Sequence, residues 1–144
     1  MASAITNDGK KMILDHALRG TAIPGSGWKI HLAVAAYSPT EDTATLGSSN
    51  LVGASGGYTL ESSSTGWPDS DLAADDTADS ASAKAKDIVC AGAITDARYA
   101  LLTDANGTTA NRVVYAFWDL GGNKSVSSGQ NLTLQDLELK FTDA

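Results

Sequence analysis

Cysteine, aromatic residues and positive charge are all scarce in this sequence of 144 residues. The single cysteine, Cys90, cannot form an intrachain disulfide, and its apolar neighbours Ile88, Val89 and Ala91 predict a small buried side chain. Aromatic residues make up only 6% of the chain, so the core must be built mainly from Leu, Val, Ile and Ala. A core of this kind is thin, as in a two-layer sandwich, and the length fits one domain spanning residues 1–144.

The shortage of basic residues limits the partners. Ten Lys and Arg stand against 17 Asp and Glu, for a formal net charge of −7. Contacts to nucleic-acid phosphates or to an anionic membrane need clustered positive charge, so we expect neither partner. No stretch approaches the roughly 20 apolar residues of a membrane span, and the N-terminal segment lacks the apolar run of a signal peptide. We therefore expect a chain that is made in the cytoplasm.

The residues that usually carry enzyme chemistry are also few. His16 and His31 stand in no metal-binding spacing and are predicted to lie on polar surfaces. A nucleophile pair of Cys90 with His31 has no flanking activation signal, and no phosphate-binding or nucleophile-elbow motif occurs. We predict no catalytic residue, no metal site and no cofactor. The acidic run fails the EF-hand spacing and is interpreted as a solvated loop; it comprises Asp69, Asp71, Asp75, Asp76 and Asp79.

The N-terminal part, residues 1–27, is predicted to be an arm and one short helix. Apolar side chains at Ile13, Leu14, Ala17 and Leu18 fall on one helical face. Thr6, Asn7 or Asp8 caps its start in this interpretation, and Gly20 ends it in the left-handed conformation.

A half-buried strand is predicted from Trp28 to Tyr37, with His31 on its polar side and Pro39 stopping it. A short strand follows near Tyr58 to Glu61. Residues 62–86 are almost wholly Ser, Ala, Asp and Thr, which predicts an extended surface loop, with a helical turn as an option in its Ala-rich part.

The sequence after Asp87 predicts an antiparallel meander. Turn signals stand at residues 106–107, 121–122 and 128–129, where Asn, Ser and Gly suit tight hairpins. In the last strand Leu132 and Leu134 have one parity, whereas Leu137, Leu139 and Phe141 have the other. A bulge near residues 135–136 or a strand covered on both sides would explain the change.

Partner contacts are predicted in the polar loop and in the N-terminal arm. Trp67 and Leu72 are isolated apolar residues of the loop, and Trp67 precedes Pro68. An isolated aromatic side chain is stabilised best by a pocket, either on a partner or on the chain's own sheet. The predicted contact residues are Ile5, Trp67, Pro68 and Leu72.

Two parts of the chain resemble small virion structural proteins of tailed bacteriophages. They are the opening ITNDGKKMILDHALRG with the strand IHLAVAAYS, and the close VVYAFWDLGGNKSVSSGQNLTLQDLELKF. The resemblance covers about the first 40 and the last 50 residues. It implies a mainly β fold, an antiparallel, jelly-roll-like β-sandwich, without active-site residues.

The function that the resemblance implies is that of a capsid decoration, or cement, protein. It would bind the outer surface of the phage head at capsomer junctions, with the major capsid protein and copies of itself, as a homotrimer or homodimer, as partners. A small tail, baseplate or fibre-attachment component is the first alternative. A glycan-binding module that uses Trp67 or Trp118 is the second.

Overall fold

A computed structural model describes residues 4–21, 27–60 and 72–142. The described residues are mainly β, with one α-helix near the N-terminus, as the sequence predicts. The elements in chain order are β1 (Ala4–Ile5), α1 (Asn7–Arg19), β2 (Trp28–Val34), β3 (Leu51–Val52), β4 (Tyr58–Leu60), β5 (Leu72–Asp75), β6 (Ser80–Lys84), β7 (Ile88–Ala91), β8 (Ile94–Thr103), β9 (Val114–Val126), β10 (Asn131–Leu134) and β11 (Glu138–Thr142), with 3-10 turns at Ala35–Tyr37 and Thr109–Asn111.

Three antiparallel sheets organise these strands. The largest has the order β1–β9–β8–β2–β3, with β4 also paired to β2. A second sheet pairs β10 with β7, and a third has the order β11–β6–β5. Each sheet needs another layer of the protein to cover its apolar face. The buried clusters identify the faces that are covered.

The main core lies between the large sheet and the small ones. Registered rows such as Ile30–Leu102–Ala116 and Leu32–Ala100–Trp118 line one face of the large sheet. They pack in one buried cluster with residues of β7, β10 and the segments before β7 and β11, namely Ala85, Ile88, Cys90, Leu134 and Leu137. This layered packing agrees with the predicted sandwich, whereas the jelly-roll-like topology stays a prediction.

The opposite face of the large sheet is covered as well. Tyr99, Leu101 and Phe117 form a second buried cluster with Leu46, which lies in the long connection between β2 and β3. The middle of β2 is therefore buried on both faces. The predicted alternation holds, with Trp28, Ile30 and Leu32 in the main core and His31 on the other side of the sheet, but the prediction of a half-buried strand is wrong, and the strand ends at Val34 instead of Tyr37.

Helix α1 begins and ends where the sequence predicts. The Thr6 hydroxyl accepts a hydrogen bond from the Gly9 N–H at 3.0 Å, and Gly20 has φ 67° at the C-terminal end. Gly9 lies so close to β9 that a Cβ there would stand 2.0 Å from the Tyr115 carbonyl oxygen. The predicted apolar face is wrong, because Leu14 and Leu18 are exposed.

The second half of the predicted loop 62–86 is not a loop. Residues 72–84 form the β5–β6 hairpin, and β11 pairs with β6 from Glu138 to Thr142. The Asp75 carboxylate accepts hydrogen bonds from the N–H groups of Thr77 and Ala78 and so shapes the turn. The first residues of the predicted loop, 62–71, lie outside the described residues.

Two details of the C-terminal part also differ from the prediction. Residues 121–122 lie inside β9, where Lys124 pairs with Ala97 and Asp119 pairs with Tyr99, so the extra residues form a bulge instead of a hairpin turn. The predicted last strand is two strands in different sheets, separated at residues 135–137. This break, with Asp136 at φ 54°, accounts for the change in parity. A turn forms at residues 128–129 as predicted, but it joins β9 and β10, which lie in different sheets, so the predicted hairpin there is wrong; residues 106–107 belong to a longer connection.

Candidate interaction surface

A buried polar cluster joins two loops at one end of the large sheet. The Arg112 guanidinium donates from Nη1 to His31 Nε2 at 2.9 Å and to the Gly56 carbonyl at 2.7 Å. Its Nε donates to the Asn106 carbonyl at 2.9 Å. Gly57 packs on the imidazole, where a Cβ would lie 2.7 Å from Nε2. One side chain therefore holds the turn before β4 and the connection between β8 and β9.

His31 is only 2% exposed, so the prediction of a surface histidine is wrong. Burial, followed by the nearby charges of Arg112 and Lys29, lowers the pKa of His31 to about 4. A neutral ring whose Nε2 accepts from Arg112 carries its proton on Nδ1. The arrangement makes His31 a fixed acceptor for Arg112.

A second buried group, the carboxylate of Asp104, lies in the connection between β8 and β9. The Asp104 carboxylate accepts hydrogen bonds from the Asn106 N–H at 3.1 Å and from the Tyr115 hydroxyl at 3.4 Å. Burial, followed by the charge of Asp104, raises the pKa of Tyr115, so its hydroxyl stays protonated and can donate. These contacts fix the loop between β8 and β9.

Cys90 and His31 do not meet. Cys90 is fully buried in the main core, as predicted, and burial raises the pKa of its thiol to about 12. His31 lies in register with Leu101 and so points to the other face of the large sheet. Among the described residues, no three His, Cys, Asp or Glu side chains converge to hold a metal ion.

The most distinctive surface lies on the three-stranded sheet β11–β6–β5. Register places Leu72, Ala83 and Leu139 in one row across the sheet, and Ala74, Ala81 and Phe141 in the next row on the same face. Leu72 is 51% exposed and Phe141 is 42% exposed. We call these six residues the hairpin face.

The reverse side of the same sheet is polar. Its registered rows are Asp75–Ser80 and Ala73–Ser82–Lys140, followed by the pair Lys84–Glu138. An amphipathic sheet of this kind normally buries its apolar side against another layer. Here the half of the hairpin face near the turn is open to solvent.

The inner half of the hairpin face borders a groove. Leu72, Ala83 and Leu139 line it together with Met12 and Ile13 of α1, and its volume is about 200 Å³. Trp28 and Tyr115 form its floor and contact each other edge to face, with ring centroids 5.1 Å apart. The apolar surface therefore continues from the exposed edge of the hairpin toward the helix.

The four residues predicted to contact partners lie in different surroundings. Leu72 belongs to the hairpin face. Ile5 pairs with Ala116 in the large sheet and is 7% exposed, so its side chain is largely used inside the chain. Trp67 and Pro68 lie outside the described residues. The sequence contains no local signal for Phe141, because only the pairing of β11 with β6 places it beside Ala81.

Of the two tryptophans considered for glycan stacking, Trp118 is buried, whereas Trp67 lies outside the described residues. Trp118 is enclosed in the core, and its Nε1 donates to the Glu138 carbonyl at 2.7 Å. Trp28 is buried in the same cluster. Neither ring offers a free face to a sugar.

A comparison of the chain with protein-family models, curated proteins and solved structures finds no match. In the described parts of the chain, no helix is long and apolar enough to cross a membrane.

Proposed function

We propose that this chain is a virion structural protein that decorates and stabilises a phage capsid. It binds the outer surface of the head at capsomer junctions, through the hairpin face. The observation that carries the proposal is the open apolar side of an otherwise amphipathic sheet, and the resemblance of the two chain ends to phage virion proteins supplies the kind of assembly.

The hairpin face has the character of an interface centre. Exposed apolar patches mark surfaces that bind other proteins. Covering a side chain such as Leu72 or Phe141 completely contributes about 1.5–3 kcal/mol, and a proportion of this is available here because both are about half exposed. Polar residues of the hairpin turn, including Asp76 and Asp79, border the apolar centre at one end.

A decoration protein does not need a tight single contact. A protein that binds only the assembled shell stabilises it by mass action, and the effect is multiplied over many equivalent sites. The partners in this proposal are the major capsid protein and, at the junctions, further copies of this chain. The net charge of −7 keeps the outward surface soluble and disfavours contact with nucleic acid.

The proposal is tested by adding purified chain back to phage heads that lack it. Copies bound per head and the temperature of DNA release are measured for the wild-type chain and for Leu72→Asp and Phe141→Asp. Each variant places a charge in the apolar contact, so we expect binding at least tenfold weaker, the equivalent of about 1.4 kcal/mol. Val89→Asp is the matched control, since Val89 is 55% exposed on a different sheet.

Saturable binding of the wild type and the control to heads, with a higher release temperature, supports the proposal. Binding confined to tails would identify a tail component instead. A chain that binds neither heads nor tails, or hairpin variants that bind heads as well as the wild type, would contradict it.

A further inference from the structure

We infer that the edge of β5 that pairs with no described strand, next to the hairpin face, binds an extended segment of a partner protein that contains alternating apolar and basic residues, as a fourth strand of the sheet. The inference deepens the proposed function and rests on it only for the identity of the partner. A segment of the shell protein would be the natural occupant.

The first argument is the strand edge. Strand β5 pairs with β6 on one side, and among the described strands it is the terminal one in the order β11–β6–β5. Every second residue of such a strand directs its N–H and C=O groups away from the sheet, where they can pair with another chain. All four side chains of β5 are exposed. Water satisfies these groups in the free chain, and an extended polypeptide backbone is the protein partner that matches their spacing.

The second argument is the apolar side of this edge. Leu72 and Ala74 lie on the hairpin face, whereas Ala73 and Asp75 point to the polar side. A strand added to β5 would alternate in the same way. Its residues beside Leu72 and Ala74 would extend the hairpin face, so apolar side chains are expected at every second position.

The third argument is charge. Asp75 ends β5 on the polar side, and Asp76 and Asp79 follow in the exposed turn. The lysines of this sheet, Lys84 and Lys140, lie on β6 and β11, and Lys84 is 3.6 Å from Asp136. The β5 margin is therefore negative, which favours Lys or Arg at the remaining positions of the partner strand. A second copy of this edge would instead bring another negative margin beside the first.

The inference is tested with synthetic probes in solution. Isotope-labelled chain is titrated with an eight-residue peptide of alternating Lys and Val, with the Glu and Val counterpart, and with the Lys and Val peptide N-methylated at every second residue. We expect amide shifts at residues 72–75 for the first peptide alone, because the others lose either the opposite charge or the backbone donors.

The charge contribution is isolated with a triple variant, Asp75→Asn, Asp76→Asn and Asp79→Asn. Asn keeps the acceptor oxygen that Asp75 uses in the turn, and it tolerates the φ of 45° at residue 79. Three exposed pairings together predict binding of the Lys and Val peptide about tenfold weaker at low salt. The control changes the same net charge elsewhere, with Asp42→Asn, Asp87→Asn and Asp96→Asn, and should bind like the wild type.

Several results would overturn the inference. They are equal binding of the acidic peptide, equal binding of the N-methylated peptide, no binding at about 1 mM peptide, or shifts outside the hairpin. Shifts that appear only when residues 61–71 are deleted would show that the chain covers its own edge, which also contradicts it. These outcomes are separate from the add-back experiment, since a chain that binds heads but not the peptide would lose only this inference.

Discussion

The buried imidazole of His31 makes a specific prediction about acid stability. The unfolded chain takes up a proton at His31 near its usual pKa of 6.5, whereas the folded chain stays neutral there until about pH 4. Between these values the unfolded state binds more protons, so the free energy of unfolding falls as the pH falls from about 6.5 to about 4. Above pH 6.5 both states are neutral and this contribution is constant.

The size of the effect follows from the pKa difference. A shift from 6.5 to about 4, at 1.36 kcal/mol for each pKa unit, corresponds to about 3 kcal/mol. Total stabilities of domains are about 5–15 kcal/mol, so this loss would be a large part of the whole. Protonated His31 could also no longer accept the hydrogen bond from Arg112.

The assay is urea unfolding at several pH values for the wild type and for His31→Gln. The Gln side chain has a carbonyl oxygen that can accept from Arg112, but it does not titrate. We expect the wild type to lose about 2–4 kcal/mol between pH 7 and pH 4 that the variant keeps, even if the variant starts from a lower stability. His16→Gln, which removes an exposed histidine, serves as the control and should follow the wild type. Parallel pH profiles for the wild type and His31→Gln would refute the reasoning.

Three further predictions concern packing and reactivity. Gly9→Ala should lower the free energy of unfolding by at least 2 kcal/mol in thermal or urea unfolding, because its Cβ would meet the Tyr115 carbonyl. Gly20→Ala is the control for backbone conformation, since a Cβ at residue 20 would have nothing within 4 Å. Equal losses for the two variants would contradict the argument. Thr6→Ala should lower the free energy of unfolding by about 1–2 kcal/mol, since it removes the helix cap and the buried hydrogen bond to the Val114 carbonyl. Thr6→Ser should retain most of both interactions. Equal stability of Thr6→Ala and the wild type would count against the cap. Cys90 should react with a thiol reagent only after unfolding, because burial raises its pKa to about 12, and rapid modification of the native chain at pH 8 would be inconsistent with this packing.

The local parts of the fold could be predicted from the sequence because their causes are local. The ends of α1 depend on Thr6 and Gly20, which act through their own backbone neighbours. The turn at residues 128–129 also depends on residues that act through their own backbone neighbours. The burial of Cys90 was also predictable, because it lies in a short apolar strand, in which Ile88 and Cys90 are buried and Val89 and Ala91 are exposed.

The β5–β6 hairpin could not be predicted because its strands have a polar, Ala-rich sequence with little strand preference. Its place is set by β11, which pairs with β6 more than 50 residues along the chain. The same pairing brings Phe141 beside Ala81, so the hairpin face depends on a long-range register that composition does not encode. Burial of His31 has a similar origin, since its partner Arg112 comes from a distant loop.

The bulge in β9 illustrates a different difficulty. Two adjacent glycines favour a positive φ, but this conformation serves a tight turn and a bulge equally well. Which of the two forms depends on whether the flanking residues find partners on the same neighbouring strand. Here β8 pairs on both sides of residues 121–122, which keeps β9 continuous.

The central claim is that this chain is a capsid decoration protein, and its copy number in the virus particle tests that claim most directly. Densitometry of purified particles, calibrated with known amounts of this chain and of the major capsid protein, measures the number. The account predicts hundreds of copies per particle, in a fixed ratio to the capsid subunits. A handful of copies, or none, would contradict it.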